Sequence, residues 1–194
     1  MTVQEQVWKS DFGVEYTKRN RVRWNLRIPF WQDIINWTQP ESVLDVGTNA
    51  GWNLLAIGDK HKDIELKGID VNPYALAEAT AAGLDVEEMS ALDVGTRWPN
   101  EFDLVASSGV LIHIAPDDIS QVMDSMIAAA RRHVLAIEYP SKVEREINYQ
   151  GRDGLLWKRH FGAMFQDKGL ILMEEGDAGY GFNECYFWLL RVDR

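Results

Sequence analysis

Residues 42–51, Ser-Val-Leu-Asp-Val-Gly-Thr-Asn-Ala-Gly, contain the strand and turn that decide the fold class. Ser42–Val46 is a short β-branched run, which predicts a strand. A glycine-containing turn follows at 47–51, and a helical pattern follows that at 52–58. This strand–turn–helix order is typical of a βαβ unit, so we predict a sheet that is mostly parallel.

The rest of the chain repeats this alternation of short apolar runs and helical patterns. Asn72 can cap a helix that has Pro73 in its first turn, and Pro116 opens another helix. Further strands are predicted at 64–70, 84–89, 102–107 and 133–139, with a closing hairpin at 170–174 and 185–191. Further helices are predicted at 17–27, 29–37 and 155–166.

These elements predict one domain over residues 1–194. Its core, residues 41–194, is expected to be a Rossmann-like α/β fold with a doubly wound seven-stranded sheet, mostly parallel and ending in an antiparallel hairpin. Residues 1–38 precede the first strand and would form a helical lid over its carboxyl end. Ligands bind such sheets at the carboxyl ends of the strands, where the strand order reverses.

Composition and charge limit the class of partner. The chain is 46% hydrophobic and carries a net charge of −10. This charge is repelled by phosphate backbones and anionic lipid, so we expect a small-molecule partner rather than a membrane or a nucleic acid polymer. The single cysteine, Cys185, excludes an intrachain disulfide and a Cys-rich zinc site, and we predict no metal. Because no secretory or membrane-spanning pattern is present, we expect a cytoplasmic protein.

Basic residues are concentrated in two stretches of this acidic chain. They are Lys18, Arg19, Arg21, Arg23 and Arg27 near the start, and Arg152, Lys158 and Arg159 later. Such stretches are consistent with two solvated faces. They are equally consistent with recognition of an anionic group on a small ligand, for which a few arginines suffice.

The turn at 47–51 is the first candidate for ligand binding. Gly47 and Gly51 allow a tight turn and close approach of the backbone, and the helix behind them favours an anion. A purely structural turn would use the same residues. Asn49 stands where the dinucleotide pattern G-x-G-x-x-G has its second glycine, which disfavours an NAD-dependent reductase.

Acidic residues follow the second and third predicted strands. Asp70 ends the second strand and can accept hydrogen bonds from both hydroxyls of a ribose. Asp93, next to Leu92, can accept from an exocyclic adenine amine while the backbone reads the ring edge. Together with the turn, these residues predict a pocket for a nucleoside whose other end is a small anion.

Two candidates for acid–base chemistry follow the fourth and fifth strands. His113 lies beyond Ser108, where a substrate would meet the cofactor, and its ordinary pKa lies near neutrality. It is a candidate general base, or else a structural core histidine. Glu138 is the second candidate base, or else a buried carboxylate paired with an arginine.

The segments VLDVGTNAGWN, GIDVNP, SALD and FDLVASSGVLIHI resemble, in that order, the class I S-adenosylmethionine-dependent methyltransferases over roughly residues 41–140. The chain is most similar to one branch, the methylases associated with pseudaminic acid biosynthesis. That similarity extends to VWKSDFGVEYTKRN, GVLIHIAPDD and AIEYPSKVEREINYQGRDGLLWKRHF.

The resemblance implies S-adenosylmethionine as the cofactor and a role for individual residues. Asp45, Gly47, Asn49 and Gly51 would hold its methionine part, Asp70 its ribose, and Leu92 and Asp93 its adenine. Ser108 and the lid residues Tyr16, Arg19 and Asn20 would complete the cofactor site. Tyr139, Tyr149 and Arg152 would line the acceptor side.

The acceptor is expected to be a sugar or nucleotide-sugar hydroxyl. The alternatives are a nucleotide, a nucleobase or another small-molecule amine, or a catalytically silent cofactor-binding protein. Nucleic acid amine methylases carry Asn/Asp-Pro-Pro-aromatic after the fourth strand, whereas this chain has Ser-Ser-Gly-Val at 107–110.

Overall fold

The computed structural model describes residues 1–179 and 181–193, which are organised around one large sheet. Its strands are β1 (Ser42–Val46), β2 (Glu65–Asp70), β3 (Val86–Glu88), β4 (Phe102–Ser108), β5 (Ala130–Glu138), β8 (Ile171–Asp177) and β9 (Tyr186–Arg191). They are ordered β3-β2-β1-β4-β5-β9-β8. The first five strands are parallel, and β9 runs antiparallel to both of its neighbours. The predicted doubly wound seven-stranded sheet is therefore confirmed.

Eight helices and one small hairpin surround this sheet in the described chain. The helices are α1 (Val3–Lys9), α2 (Asp11–Arg19), α3 (Ile28–Thr38), α4 (Trp52–Lys60), α5 (Pro73–Ala81), α6 (Val94–Arg97), α7 (Ile119–Ala129) and α8 (Phe161–Asp167). The hairpin pairs β6 (Arg145–Glu146) with β7 (Trp157–Lys158), and single 3-10 turns occupy Trp24–Arg27 and Leu111–His113. No helix in residues 1–179 or 181–193 is both long and apolar enough to cross a membrane.

The core consists of two apolar layers, one on each face of the sheet. Side chains of α7 and α8, such as Met123 and Phe161, fill one layer. Side chains of α3 and α4, such as Trp31 and Ile57, fill the other. The predicted lid at 1–38 is corrected here, because α3 packs on the sheet with Trp31 and Ile34 fully buried and only the segment before it reaches the strand ends.

Three predicted helix boundaries are wrong. The helix predicted at 17–27 ends at Arg19, because the backbone leaves the helical region at Asn20. The helix predicted to open at Pro116 begins at Ile119, since 116–118 form a turn before it. The helix predicted at 155–166 begins only at Phe161, because Trp157 and Lys158 pair with the strand at Arg145 instead.

Candidate functional site

A cavity of about 190 Å³ lies at the carboxyl ends of β1, β2 and β4. The strand order reverses between β1 and β4, so this is the topological switch point of the sheet. Helices α1 and α2, together called the roof below, cover the cavity. The predicted site residues that line it are Tyr16, Asn20, Gly47, Asn49, Asp70, Ser108 and His113.

The turn after β1 takes a left-handed conformation at every second residue. The φ angles are 71° at Gly47, 52° at Asn49 and 78° at Gly51. Asparagine tolerates this conformation better than most residues, so Asn49 replaces a glycine without changing the path of the backbone. The neighbouring loop also leaves no room for a side chain at Gly47, since a Cβ atom there would lie 2.4 Å from Val110 Cγ2. The turn is thus a concave stretch of backbone that faces the cavity.

Asp70 anchors this turn to the end of β2. Its Oδ2 accepts a hydrogen bond from the Asn49 amide and its Oδ1 accepts one from the Asn72 amide, both at 2.8 Å. Burial raises the pKa of Asp70, and the backbone hydrogen bonds oppose that rise. An ionised carboxylate has about four acceptor positions, so two of them remain for a ligand. Asp70 can therefore hold the turn and accept from two hydroxyl groups at once.

Asp45 lies behind the cavity wall in a buried polar network. Its carboxylate accepts hydrogen bonds from Thr48 Oγ1 at 2.8 Å and from Asn53 Nδ2. Asn53 Oδ1 in turn accepts from Arg27 Nη1 at 2.8 Å and from Trp31 Nε1. Burial raises the pKa of Asp45 to about 6, and the Arg27 guanidinium opposes that rise. Asp45 is therefore a support for Asn53 and Arg27, both of which line the cavity.

His113 lines the same cavity from the 3-10 turn after β4. Its Nδ1 is 2.6 Å from the Leu155 carbonyl oxygen, which can only accept, so Nδ1 carries the proton. Burial lowers the pKa of His113 to about 4. The ring is therefore neutral at pH 7, and Nε2 has no hydrogen-bond partner within the described chain. It can accept a hydrogen bond from a ligand.

The loop that carries His113 is held by two buried charges of opposite sign. Glu138 accepts hydrogen bonds from the backbone amides of Val110 and Leu111 at 3.0 and 2.9 Å. On the other side, Arg159 Nη1 donates to the carbonyls of Leu111 and Ile114. This geometry argues against Glu138 as a base and against its pairing with an arginine, because the backbone amides occupy its carboxylate. Burial raises the pKa of Glu138 to about 7.

The roof contributes an aromatic cluster to the cavity. Trp8 makes edge contacts with Tyr16 at 5.1 Å and with His113 at 4.6 Å between ring centroids. Gly13 permits the close packing of α1 on α2, since a Cβ atom there would lie 1.8 Å from the Trp8 carbonyl oxygen. Polar contacts fix the roof to the rest of the fold, including a hydrogen bond from Ser90 to Glu5. The roof and the loop after β4 thus share one aromatic wall.

Several predicted site residues lie outside this lining. The Leu92 amide donates to Ser90 Oγ, and Asp93 lies in an adjacent, more open cleft of about 750 Å³. Among the described residues, the predicted site residues that do not line this cavity are Asp45, Gly51, Leu92, Asp93, Arg19, Glu138, Tyr139, Tyr149 and Arg152. Asp93 thus lines the second cleft and Leu92 lines neither, so the adenine contacts assigned to these two residues stay a prediction.

Trp8 and Asn53 line the cavity but were not predicted from the sequence to do so, and Arg27, which also lines it, was named only as a member of the first basic stretch. One signal could have located α1: Thr2 and Glu5 form a capping box, a pattern that is visible in the sequence. For Asn53 and Arg27 no local pattern exists, because they meet only through tertiary packing.

Comparison with known proteins identifies the kind of domain that this chain contains. Residues 43–133 match the family model of a methyltransferase domain. No curated protein sequence matches the chain. Three solved structures share its fold at 14–15% identity, as follows.

The first is the 1,6-didemethyltoxoflavin-N1-methyltransferase of Burkholderia thailandensis with S-adenosylhomocysteine bound, with a TM-score of 0.75, 14% identity and coverage of 98% of this chain and 91% of that one. The second is the magnesium protoporphyrin IX methyltransferase of Synechocystis PCC 6803 with bound S-adenosylmethionine. Its TM-score is 0.70 and its identity is 14%, and the match covers 100% of this chain and 99% of that one. The third is a mitomycin 7-O-methyltransferase with a TM-score of 0.72 and 15% identity, and the match covers 99% of this chain and 61% of that one. At these identities the structures establish the fold alone.

The domain match, the fold and the position of the cavity together define the class of this protein. It is an S-adenosylmethionine-dependent methyltransferase with a Rossmann-like fold. The three similar structures carry out their reactions on unrelated molecules, so the class does not specify the acceptor.

Proposed function

We propose that the protein transfers a methyl group to a hydroxyl of a small polar acceptor, a sugar or a nucleotide sugar. The observation that carries this proposal is one cavity with two chemically distinct ends. Asp70 and the left-handed turn form one end, and a neutral His113 forms the other. The sugar itself comes from the sequence resemblance to methylases associated with pseudaminic acid biosynthesis.

We assign the cofactor to the Asp70 end. Asp70 would receive the ribose hydroxyls on its two remaining acceptor positions, and the amides of the turn would face the methionine part. Arg27 would bind the methionine carboxylate, because its guanidinium lines the cavity and is held at Nη1 by Asn53. Met89 and Ala91 would border the adenine, with Asp93 beyond them at the open cleft.

Bound S-adenosylmethionine supplies an already activated methyl group, so the protein's main task is alignment. Fixing the acceptor oxygen in line with the methyl group contributes much of the rate by removing orientational freedom. His113 Nε2 would accept a hydrogen bond from that hydroxyl and direct a lone pair at the methyl carbon. The hydroxyl proton would pass to His113 Nε2, and the ring would then release it to water, because burial lowers the pKa of His113 to about 4.

We propose that the roof closes over the bound cofactor. The cavity of about 190 Å³ is smaller than the roughly 300–1,000 Å³ of typical small-molecule pockets, so the roof must move to admit the ligand. In closed form it would exclude water from the reacting atoms, with Tyr16 and Asn20 over the cofactor.

Calorimetry with S-adenosylhomocysteine tests the assignment. We expect Asp70→Ala to weaken binding at least tenfold, because two charge-assisted hydrogen bonds of about 1.5 kcal/mol each are affected. Asp70→Asn keeps the shape of the side chain and should weaken binding less. Asp63→Ala, an exposed site before β2, is the matched control. Wild-type affinity in both Asp70 variants, with normal thermal unfolding, would refute the assignment.

A further inference from the structure

Arg19 and Arg152, at the outer edge of the aromatic cluster, lack carboxylate partners in the part of the chain that the structure describes. Their sequence neighbours differ in this respect: Lys18 pairs with Glu15 at 3.0 Å, and Arg21 pairs with Glu78 at 3.0 Å. Both unpaired arginines are exposed. Both arginines contact one aromatic cluster, so they place positive charge beside the cavity in a chain with a net charge of −10.

Both guanidinium groups contact one aromatic cluster, which contains Phe12, Tyr16 and Tyr149, although they come from distant parts of the sequence. Burial raises the pKa of the Tyr149 phenol, and the Arg19 guanidinium opposes that rise. Arg152 pairs with Tyr149 through the backbone, at 2.8 and 3.1 Å, across a tight turn. That turn requires the left-handed conformation of Gln150 and Gly151, at φ 54° and 79°.

Each of the two guanidinium groups lies against an aromatic ring. Arg152 lies 5.0 Å above the Phe12 ring, and Arg19 lies 5.8 Å from the Tyr16 ring centroid. An arginine that rests on a ring keeps its N–H donors free at its edge, where they can bind a phosphate or a carboxylate in bidentate fashion. The two side chains are therefore positioned without their hydrogen-bonding capacity being used up.

This pair of arginines is connected directly to the reactive end of the cavity. The Tyr149 ring is 5.1 Å from the His113 ring and 6.2 Å from Phe12. A ligand that donates a hydroxyl to His113 and extends along this cluster would approach the two arginines.

We infer that the acceptor carries an anionic group, a phosphate or a carboxylate, which Arg19 and Arg152 bind at the rim of the cavity. This inference rests on the proposed function, since it concerns the acceptor of the same site. A neutral sugar would leave both arginines unused. The roof would bring Arg19 to the anion, so binding of the acceptor would also favour the closed roof.

Binding of model anions to the protein saturated with S-adenosylhomocysteine tests this inference. Pyrophosphate represents the diphosphate of a nucleotide sugar, glucuronate represents a carboxylated sugar, and glucose is the neutral comparison. We expect one of the two anions to bind measurably by calorimetry, and glucose not to bind. Arg19→Gln and Arg152→Gln should each weaken that binding about tenfold, and 0.5 M salt should weaken it in the unmodified protein.

Arg21→Gln is the matched control, because Arg21 is equally exposed in the same segment but pairs with Glu78. It should retain the affinity for the anion within about twofold. If neither anion binds, or if binding is the same in all three variants, the inference is wrong. A protein that fails to bind S-adenosylhomocysteine at all would instead refute the proposed function, so the two failures are distinguishable.

Discussion

The two ends of the cavity are built in different ways. At the end that we assign to the cofactor, the proposed binding groups belong to short continuous segments: the turn at 47–51 and Asp70, which are joined by a hydrogen bond from the Asn49 amide to the Asp70 carboxylate. At the end that we assign to the acceptor, Trp8, His113 and Tyr149 come from three distant segments and meet only as side chains. The first end is defined by backbone conformation and the second by the packing of aromatic rings.

This difference explains how one fold serves many methyl acceptors. The turn after β1 and the end of β2 are fixed by the parallel sheet, whose register leaves little freedom. The roof and the β6–β7 hairpin are additions to that sheet and can change without disturbing it. The three similar structures share this fold and are named as methyltransferases for 1,6-didemethyltoxoflavin, magnesium protoporphyrin IX and mitomycin.

Substitution of His113 gives the most direct test that the two ends of the cavity have different roles. We expect His113→Ala to lower kcat about 10²-fold while leaving the affinity for S-adenosylhomocysteine within twofold, because the lost interaction belongs to the transition state. His113→Gln, which keeps an acceptor, should recover part of the rate. A loss of only a few-fold would contradict the role given to His113 and favour a neutral amine as the acceptor.

The roof should respond to ligands more strongly than the sheet does. None of the seven α1 residues is buried, and α2 buries only Gly13 and Thr17, so the roof has low local stability. We expect amide hydrogen exchange in residues 8–20 to slow by about tenfold or more when S-adenosylhomocysteine binds. Exchange in α7, on the far face of the sheet, is the internal control. Protection of residues 47–51 without any change in residues 8–20 would contradict the closing roof.

The smallest effect is expected at Asn49, where backbone conformation outweighs side-chain chemistry. Asn49→Gly should bind S-adenosylhomocysteine within about threefold of the original protein, because glycine adopts φ 52° readily. Asn49→Val should weaken binding at least tenfold, since a β-branched residue is strained in this region. Equal affinities in the two variants, measured by calorimetry, would show that the turn is not defined by its backbone.

The sequence alone predicted most of the sheet and the position of the turn and Asp70 at the strand ends, and the physical reason is locality. Ser42–Val46 has the predicted bounds, Asn72 caps α5 as expected, and the turn with Asp70 lies at the switch point. Each of these features depends on a few consecutive residues and on the period of one strand or helix. Errors occurred where a local pattern was ambiguous, as at Trp157, which pairs in a hairpin rather than extending a helix.

Only the tertiary structure decided the acceptor end and the roles of the buried charges. No sequence pattern shows that Glu138 and Arg159 bind opposite edges of the loop that carries His113. The pKa of His113 is likewise a property of its surroundings, because burial lowers it to about 4 from an ordinary value near neutrality. Strand ends and turns are determined by neighbours in the chain, whereas desolvation and side-chain contacts are determined by residues that folding brings together.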